Sequence, residues 1–196
     1  YYEPFNSPQY SYLNGQVNGG LLTWNDVGSS GSGVVVYPGS LTGIGLPASA
    51  GNSIYFGGYG LSARFSFSPG VAVNTGSLYY SFLLQVLDST YLTSSGVFVA
   101  GFNNTMGPQS TQPSVVGTRL YVRSVAGGFN LGVAKNSSTG SDWQWDSRVL
   151  TNNQVIFIVG SYAFNPAGDG NDVCRLWLNL DPSTFGLADA PAASLT

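Results

Sequence analysis

Four of the six basic residues, Arg64, Arg119, Arg123 and Arg175, fall on the polar sides of alternating, strand-like runs. Tyr79, Tyr121 and Trp177 occupy comparable positions in such runs. If those strands share a sheet, its outer face is an Arg/Tyr/Trp surface in a chain poor in cations. Aromatic faces stack on sugar rings, and guanidinium forks bind carboxylates or sulfates bidentately. The same pattern also arises without any ligand, because strands favour aromatic residues and arginine stems lie along them. Trp143 and Trp145, two residues apart on one strand face, suit either a sugar platform or simple edge packing.

Other chemistries find few residues to work with. Retaining glycoside hydrolysis needs two carboxylates flanking the bond. The chain has a single glutamate, Glu3, in its N-terminal segment, and no Glu-x-Asp-x-x-Glu pattern. Asp142 and Asp146 are four apart around the tryptophan pair at an expected sheet edge, a weak basis for a catalytic pair. With no histidine, the Ser-His-Asp and Cys-His systems are absent, as are most zinc, copper and non-haem iron sites. The only lysine, Lys135, has Gly132 three residues before it, so there is no S-x-x-K dyad. Cys174 reads as a small buried hydrophobe on the apolar side of a strand. Calcium is the metal the inventory leaves open. Asp169, Asn171 and Asp172 form its best oxygen-ligand cluster, which also has the composition of an ordinary hairpin turn. These residues speak for a protein that binds rather than catalyses.

The elements that must position these groups are short strands. Glycine is frequent (27) and charged residues make up 8%, far below the quarter typical of a soluble domain. A net charge of −3 argues against nucleic acid as a partner. No apolar run approaches the length of a membrane span. One cysteine excludes an internal disulfide. At 196 residues the chain is expected to be one domain, residues 1–196, with an irregular N-terminal segment over 1–24 and a tail over 189–196 that reads as a linker or as the entry to a further strand. Starting at Tyr1 without a methionine, it reads as a mature exported form or a fragment. Two sequon matches, Asn103-Asn104-Thr105 and Asn136-Ser137-Ser138, read as loop polarity.

The longest run, Ser77–Asp88, directs Leu78, Tyr80, Phe82, Leu84 and Val86 to one face and is apolar on both, as expected of a central strand. Further strands are expected at Tyr10–Leu13, Leu21–Trp24, Val34–Tyr37, Ser53–Phe56, Leu61–Phe67, Val97–Phe102, Thr118–Ser124, around Phe129–Val133, at the edge over Asp142–Leu150, and at Gln154–Phe164 and Asp172–Asn179. Gly127-Gly128 marks a hairpin turn. About ten short strands without a helical period indicate an all-β sandwich or barrel.

Several stretches carry a family resemblance: Tyr2-Glu3-Pro4-Phe5, Leu13-Asn14-Gly15-Gln16 with Asn18-Gly19-Gly20 and Trp24, Tyr79–Leu84, Gly101-Phe102-Asn103, Phe129-Asn130-Leu131-Gly132, and Leu176-Trp177-Leu178-Asn179 with Asp181-Pro182. In this order they resemble the concanavalin A-like (laminin-G-like) jelly-roll domains of exported bacterial proteins, many of which bear a PEP-CTERM type sorting tail. The resemblance implies a two-sheet antiparallel jelly-roll sandwich and a secreted or cell-surface location. It also implies a glycan partner and loop-bound calcium. Members usually continue into another strand or two, so ending at Thr196 implies truncation or a missing strand. An open slot of that kind accepts a strand from a neighbour, with the segment from Tyr1 as donor. A non-catalytic polysaccharide-binding domain and a self-associating structural subunit are therefore the two expectations.

Overall fold

The computed structural model describes residues 1–18, 22–28, 30–43, 45–57, 60–67, 72–104, 112–136, 139–167 and 169–196, except the side chains of Asn18 and Asp169. Leu21, Gly58, Pro69-Gly70 and the ends of both sequons lie outside this set, as does much of the loop expected between Asn103 and Gly117. The described chain is all-β with antiparallel pairing. Among the described residues no helix is long and apolar enough to cross a membrane. The chain packs as two compact units. The first comprises Tyr1–Leu41, Ala48–Val73 and Asn104–Ser114; the second comprises Thr42–Pro47, Asn74–Asn103 and Val115–Thr196.

The first unit holds three two-stranded pairs. Strand β1 (Val17–Asn18) pairs with β2 (Leu22–Thr23), β3 (Asn25–Val27) with β6 (Ser62–Arg64), and β4 (Val35–Tyr37) with β5 (Ser53–Tyr55). Residues 10–13 add to the free side of β4, through Tyr10 N–H to the Val36 carbonyl at 2.7 Å and Leu13 N–H to the Val34 carbonyl at 2.7 Å. Leu13, Val34 and Val36 form the core of this unit, with Phe5, Trp24, Ile54 and Ala63 against it. The N-terminal segment, expected to be irregular, is tied down within its own unit. Glu3 accepts from the Trp24 indole at 2.8 Å, and Tyr1 donates to the Phe67 carbonyl at 2.6 Å. Arg64 departs from expectation. Expected on a wet strand face, it is buried although Ser62 on the same side of β6 is exposed, and burial lowers its guanidinium from the ordinary value.

The second unit contains two sheets. Strands β8 (Val97–Asn103), β9 (Val116–Val125), β10 (Gly128–Ala134) and β11 (Gln144–Trp145) form a four-stranded sheet in the order β11-β10-β9-β8. Strands β7 (Ser77–Gln85), β12 (Val155–Ala163) and β13 (Val173–Leu178) form a three-stranded sheet in the order β13-β12-β7. Their facing side chains make one sandwich-like core. Leu120, Val122, Phe129, Leu131 and Val133 come from one sheet, and Ile156, Ile158, Cys174, Leu176 and Leu178 from the other. Tyr80, Phe82, Leu84 and Val86 point into it, the face expected of that run. Ala126 and Gly127 close the β9–β10 hairpin, with Gly127 at φ +84°, a conformation glycine adopts without steric cost.

Two expectations change here. The Ser77–Asp88 run is not mid-sheet, because among the described strands β7 ends its sheet. Its second apolar face exists because Leu83 packs near Gly43 of the Thr42–Pro47 segment. The edge strand expected over Asp142–Leu150 does lie at the edge, but only Gln144–Trp145 and an isolated Leu150–Phe129 bridge pair with β10. The tail from Asp189 enters a sheet, with Leu195 bridging Leu176.

A Cβ added at Gly160 would lie 2.2 Å from Tyr80 Cζ, whereas one at Gly140 meets nothing within 4 Å. Gly160→Ala is expected to lose about 1–3 kcal/mol through overpacking. Gly140→Ala should stay within about 0.5 kcal/mol of the parent. Urea midpoints measure both, and equal midpoints would refute the close packing of Tyr80 on β12.

Candidate functional site

The arginine- and aromatic-bearing strands divide between the two sheets, so a single surface does not form. Strand alternation sends Leu120 and Val122 into the core and leaves Arg119, Tyr121 and Arg123 on the outer face of β9. Register sets Asn130 opposite Arg123, Gly132 opposite Tyr121, and Trp145 opposite Gly132. Phe98 of β8 lies opposite Tyr121 on the other side. The outer face of the four-stranded sheet therefore gathers Arg119, Tyr121, Arg123 and Trp145, joined by Trp143 from the turn before β11.

The contacts within this cluster are specific. Trp143 stacks on Tyr121 with centroids 3.8 Å apart and planes at 17°, and Trp145 meets Trp143 edge-on at 5.9 Å. Phe98 meets the other side of Tyr121 at 6.1 Å. The Arg123 guanidinium lies over the Trp145 ring, 4.2 Å from its centroid, while its Nε donates to Asn130 Oδ1 at 2.9 Å. Arg119 donates from Nε to the Val116 carbonyl at 3.1 Å and from Nη1 to the Tyr121 hydroxyl at 3.3 Å. Both arginines are thus oriented through Nε, and both are half-buried. Trp143 Nε1 is buried without an acceptor among the described residues.

Two glycines make room for the tryptophans. A Cβ at Gly132 would lie 2.5 Å from the Trp145 ring, and one at Gly96 would lie 2.8 Å from it. Gly96 also has φ +94°. Phe98, Asn130, Gly96 and Gly132 are not among the site residues expected from the sequence. Gly132 and Asn130 stand in the Phe129–Gly132 stretch, where register with Tyr121 and Arg123 is the signal that finds them.

Tyr121 is buried rather than wet, because Trp143 covers it. Tyr79, Arg175 and Trp177 belong to the three-stranded sheet. Tyr79 is exposed, and it flanks Ser161 in register on one side as half-buried Arg175 does on the other. Trp177 is buried, its indole donating to the Pro191 carbonyl at 2.9 Å, so the C-terminal tail covers the face it was expected to present.

The acidic residues have separate roles. Asp142 is exposed in a 3₁₀ turn at Gly140–Asp142. Asp146 is buried and accepts from Arg148 Nε at 2.8 Å, Nη2 at 2.7 Å and the Arg148 amide at 2.8 Å. Asp172 is buried and closes the β12–β13 connection by accepting from the Tyr162 hydroxyl at 2.8 Å and the Asn165 amide at 2.7 Å. Asn171 is exposed, and the Asp169 side chain lies outside the described set. Cys174 is buried as expected, and burial pushes its thiol pKa up.

Comparison with family models, curated proteins and solved structures returns no match.

The Asp146–Arg148 pair anchors the chain immediately after Trp145, and the Arg148 hydrogen bonds hold the Asp146 carboxyl below the ordinary aspartate range. A depressed folded-state pKa contributes stability that is present above the ordinary value, about 3.9, and is lost as pH falls through the depressed one. Urea midpoints of the parent and Asp146→Asn should therefore differ at neutral pH and converge on acidification below that range. Parallel curves would mean that the pair contributes nothing to this anchor.

Proposed function

We propose that this protein is a non-catalytic carbohydrate-binding domain, and that the outer face of its four-stranded sheet takes an anionic polysaccharide. The observation that carries this reading is Arg123 held over Trp145 beside the Tyr121–Trp143 stack, with Arg119 on the same face. The arrangement pairs an aromatic surface for sugar rings with two guanidinium groups for carboxylates or sulfates. The ion pair among the described residues, Arg148–Asp146, involves neither of these arginines. The face is thus locally cationic in a chain of net charge −3.

The sandwich-like second unit is compatible with a concanavalin A-like jelly roll, and that topology is part of the proposal. An exported or surface-bound setting suits a domain with few charges and no disulfide, and it is proposed on that ground and on the resemblance in residues. Calcium held by Asp169, Asn171 and Asp172 is a lesser part of the same reading. Self-association is the second reading, favoured by the exposed residues Ser77, Tyr79 and Ser81 on a strand that ends its described sheet.

Retardation in native gels containing a polyuronate or a sulfated glycan tests the main reading. The parent should be retarded, and rising salt should weaken the effect as exposed charges are screened. Arg119→Gln with Arg123→Gln should lower affinity about 10- to 100-fold, the scale of one charge-assisted hydrogen bond. Circular dichroism should show the variant folded, with a lowered melting temperature because the bonds to Val116, Tyr121 and Asn130 are lost. Unchanged retardation in the double variant, or none by any anionic glycan, would overturn the reading.

A further inference from the structure

The first unit carries a second aromatic surface of different character. Residues 10–13, β4 and β5 form a three-stranded ribbon. Its inner side supplies Leu13, Val36 and Ile54 to the core. Alternation therefore turns Tyr12, Val35, Tyr37, Ser53 and Tyr55 outward. Tyr10 joins them through a left-handed backbone, φ +63°, an uncommon conformation for a bulky residue. Its ring meets Tyr37 edge-on at 5.7 Å, and Tyr37 meets Tyr55 at 6.0 Å. Tyr10 is 68% exposed, Tyr12 60%, Tyr37 48% and Tyr55 52%, so the rings are open to solvent. The hydroxyls of Tyr10, Tyr37 and Tyr55 have no hydrogen-bond partner among the described residues.

This surface also lacks cations. From Val27 to Ala63 no residue is ionisable to a charge at neutral pH, nor is any from Pro4 to Asn25. The charged residues of the first unit are Glu3, Asp26 and Arg64, and the Asp26 carboxylate lies beside Gly33 at the Tyr12 end of the ribbon, so the charge bordering this face is negative. Glu3 is engaged by Trp24 and the Phe5 amide, and Arg64 is buried.

We infer that the Tyr10–Tyr37–Tyr55 face is a second glycan site, selective for neutral, hydroxyl-rich polysaccharide. Exposed tyrosine offers a ring for the apolar face of a sugar and a hydroxyl for its polar edge. With no cation present, carboxylated or sulfated chains gain nothing there. A second copy of the chain is a poor occupant. Three strands about 4.8 Å apart, each about 10 Å long, give a patch of a few hundred Å² at most with their side chains, against about 800 Å² per partner in a stable interface. The patch is the right size for a short stretch of sugar rings. The inference does not depend on the arginine-bearing face, because the residues and the ligand charge differ.

Native gels containing β-1,3-glucan, β-1,4-glucan, mannan, xylan or α-glucan test it on the full chain. At least one of these should retard the parent, equally at low salt and at about 0.5 M salt, where charge interactions beyond a few ångströms are screened. Tyr37→Ala with Tyr55→Ala should reduce that retardation at least five-fold, Tyr37→Phe should keep most of it, and Arg119→Gln with Arg123→Gln should leave it unchanged. Circular dichroism should show that the alanine variant is folded; if it is not, the singly substituted Tyr10→Ala serves the same comparison. The inference is overturned if no neutral polysaccharide retards the parent or if the tyrosine variants are retarded normally. It is also overturned if light scattering reveals parent oligomers that the tyrosine substitutions dissolve, since the face would then be a contact between copies.

Discussion

The second unit depends on one phenol that crosses its core. The Tyr80 ring packs on Gly160, where a side chain would not fit, and its hydroxyl donates to the Thr118 carbonyl of the opposite sheet at 3.0 Å. Thr118 returns a bond, its Oγ1 donating to the Ser161 carbonyl at 2.8 Å. The three-stranded and four-stranded sheets are thus linked by two hydrogen bonds, one buried and one partly buried, that meet at Thr118. Burial raises the pKa of the Tyr80 hydroxyl above the ordinary tyrosine value. Apolar contact alone would let the sheets slide. A buried donor that must find its acceptor fixes their offset, because missing it leaves a desolvated polar group unpaired. That offset begins at Thr118, next to Arg119, and so bears on where the outer face of β9 sits.

Much of this was legible in the chain because alternation is a local signal. Leu120 and Val122 against Arg119, Tyr121 and Arg123 set the two sides of β9 without reference to any other strand. The same holds for Leu78, Tyr80, Phe82 and Leu84 in β7. What alternation leaves open is which outward face stays wet. Tyr121 and Trp177 both lie on outer sides and are both buried, one beneath Trp143 and the other against the Pro191 carbonyl. In each case the covering group comes from irregular chain whose path no periodic pattern encodes. Sheet membership was likewise invisible. Arg119 and Arg175 carry the same local pattern, and only strand order separates them.

The tyrosine ribbon was missed for a related reason. Strands β4 and β5 have three residues each, too short to establish a period, and residues 10–13 join through a single bridge. Tyr37 and Tyr55 look like ordinary strand ends until pairing brings the three segments side by side. One signal was present all the same: the long uncharged stretch from Val27 to Ala63. In a small protein the surface is usually kept soluble by charge. A unit that exposes tyrosines in a nearly uncharged setting has its hydroxyls and amides as the means of remaining hydrated.

The two aromatic faces illustrate how the same ring chemistry is steered by what surrounds it. On β9 and β11, Arg123 lies over the Trp145 face, and Trp143 covers Tyr121. Much of the ring area there is spent inside the protein, and what it supports are two oriented guanidinium groups. On the β4–β5 ribbon the rings meet edge-on or tilted, leaving ring surface and hydroxyls in solvent. Recognition by the first arrangement would rest on charge and so depend on ionic strength. The second draws on contact area and neutral hydrogen bonds, which salt hardly touches. Two of the protein's six basic residues are set on one aromatic face and none on the other, so the two faces differ in charge by position. The difference comes only from the placement of charge relative to rings.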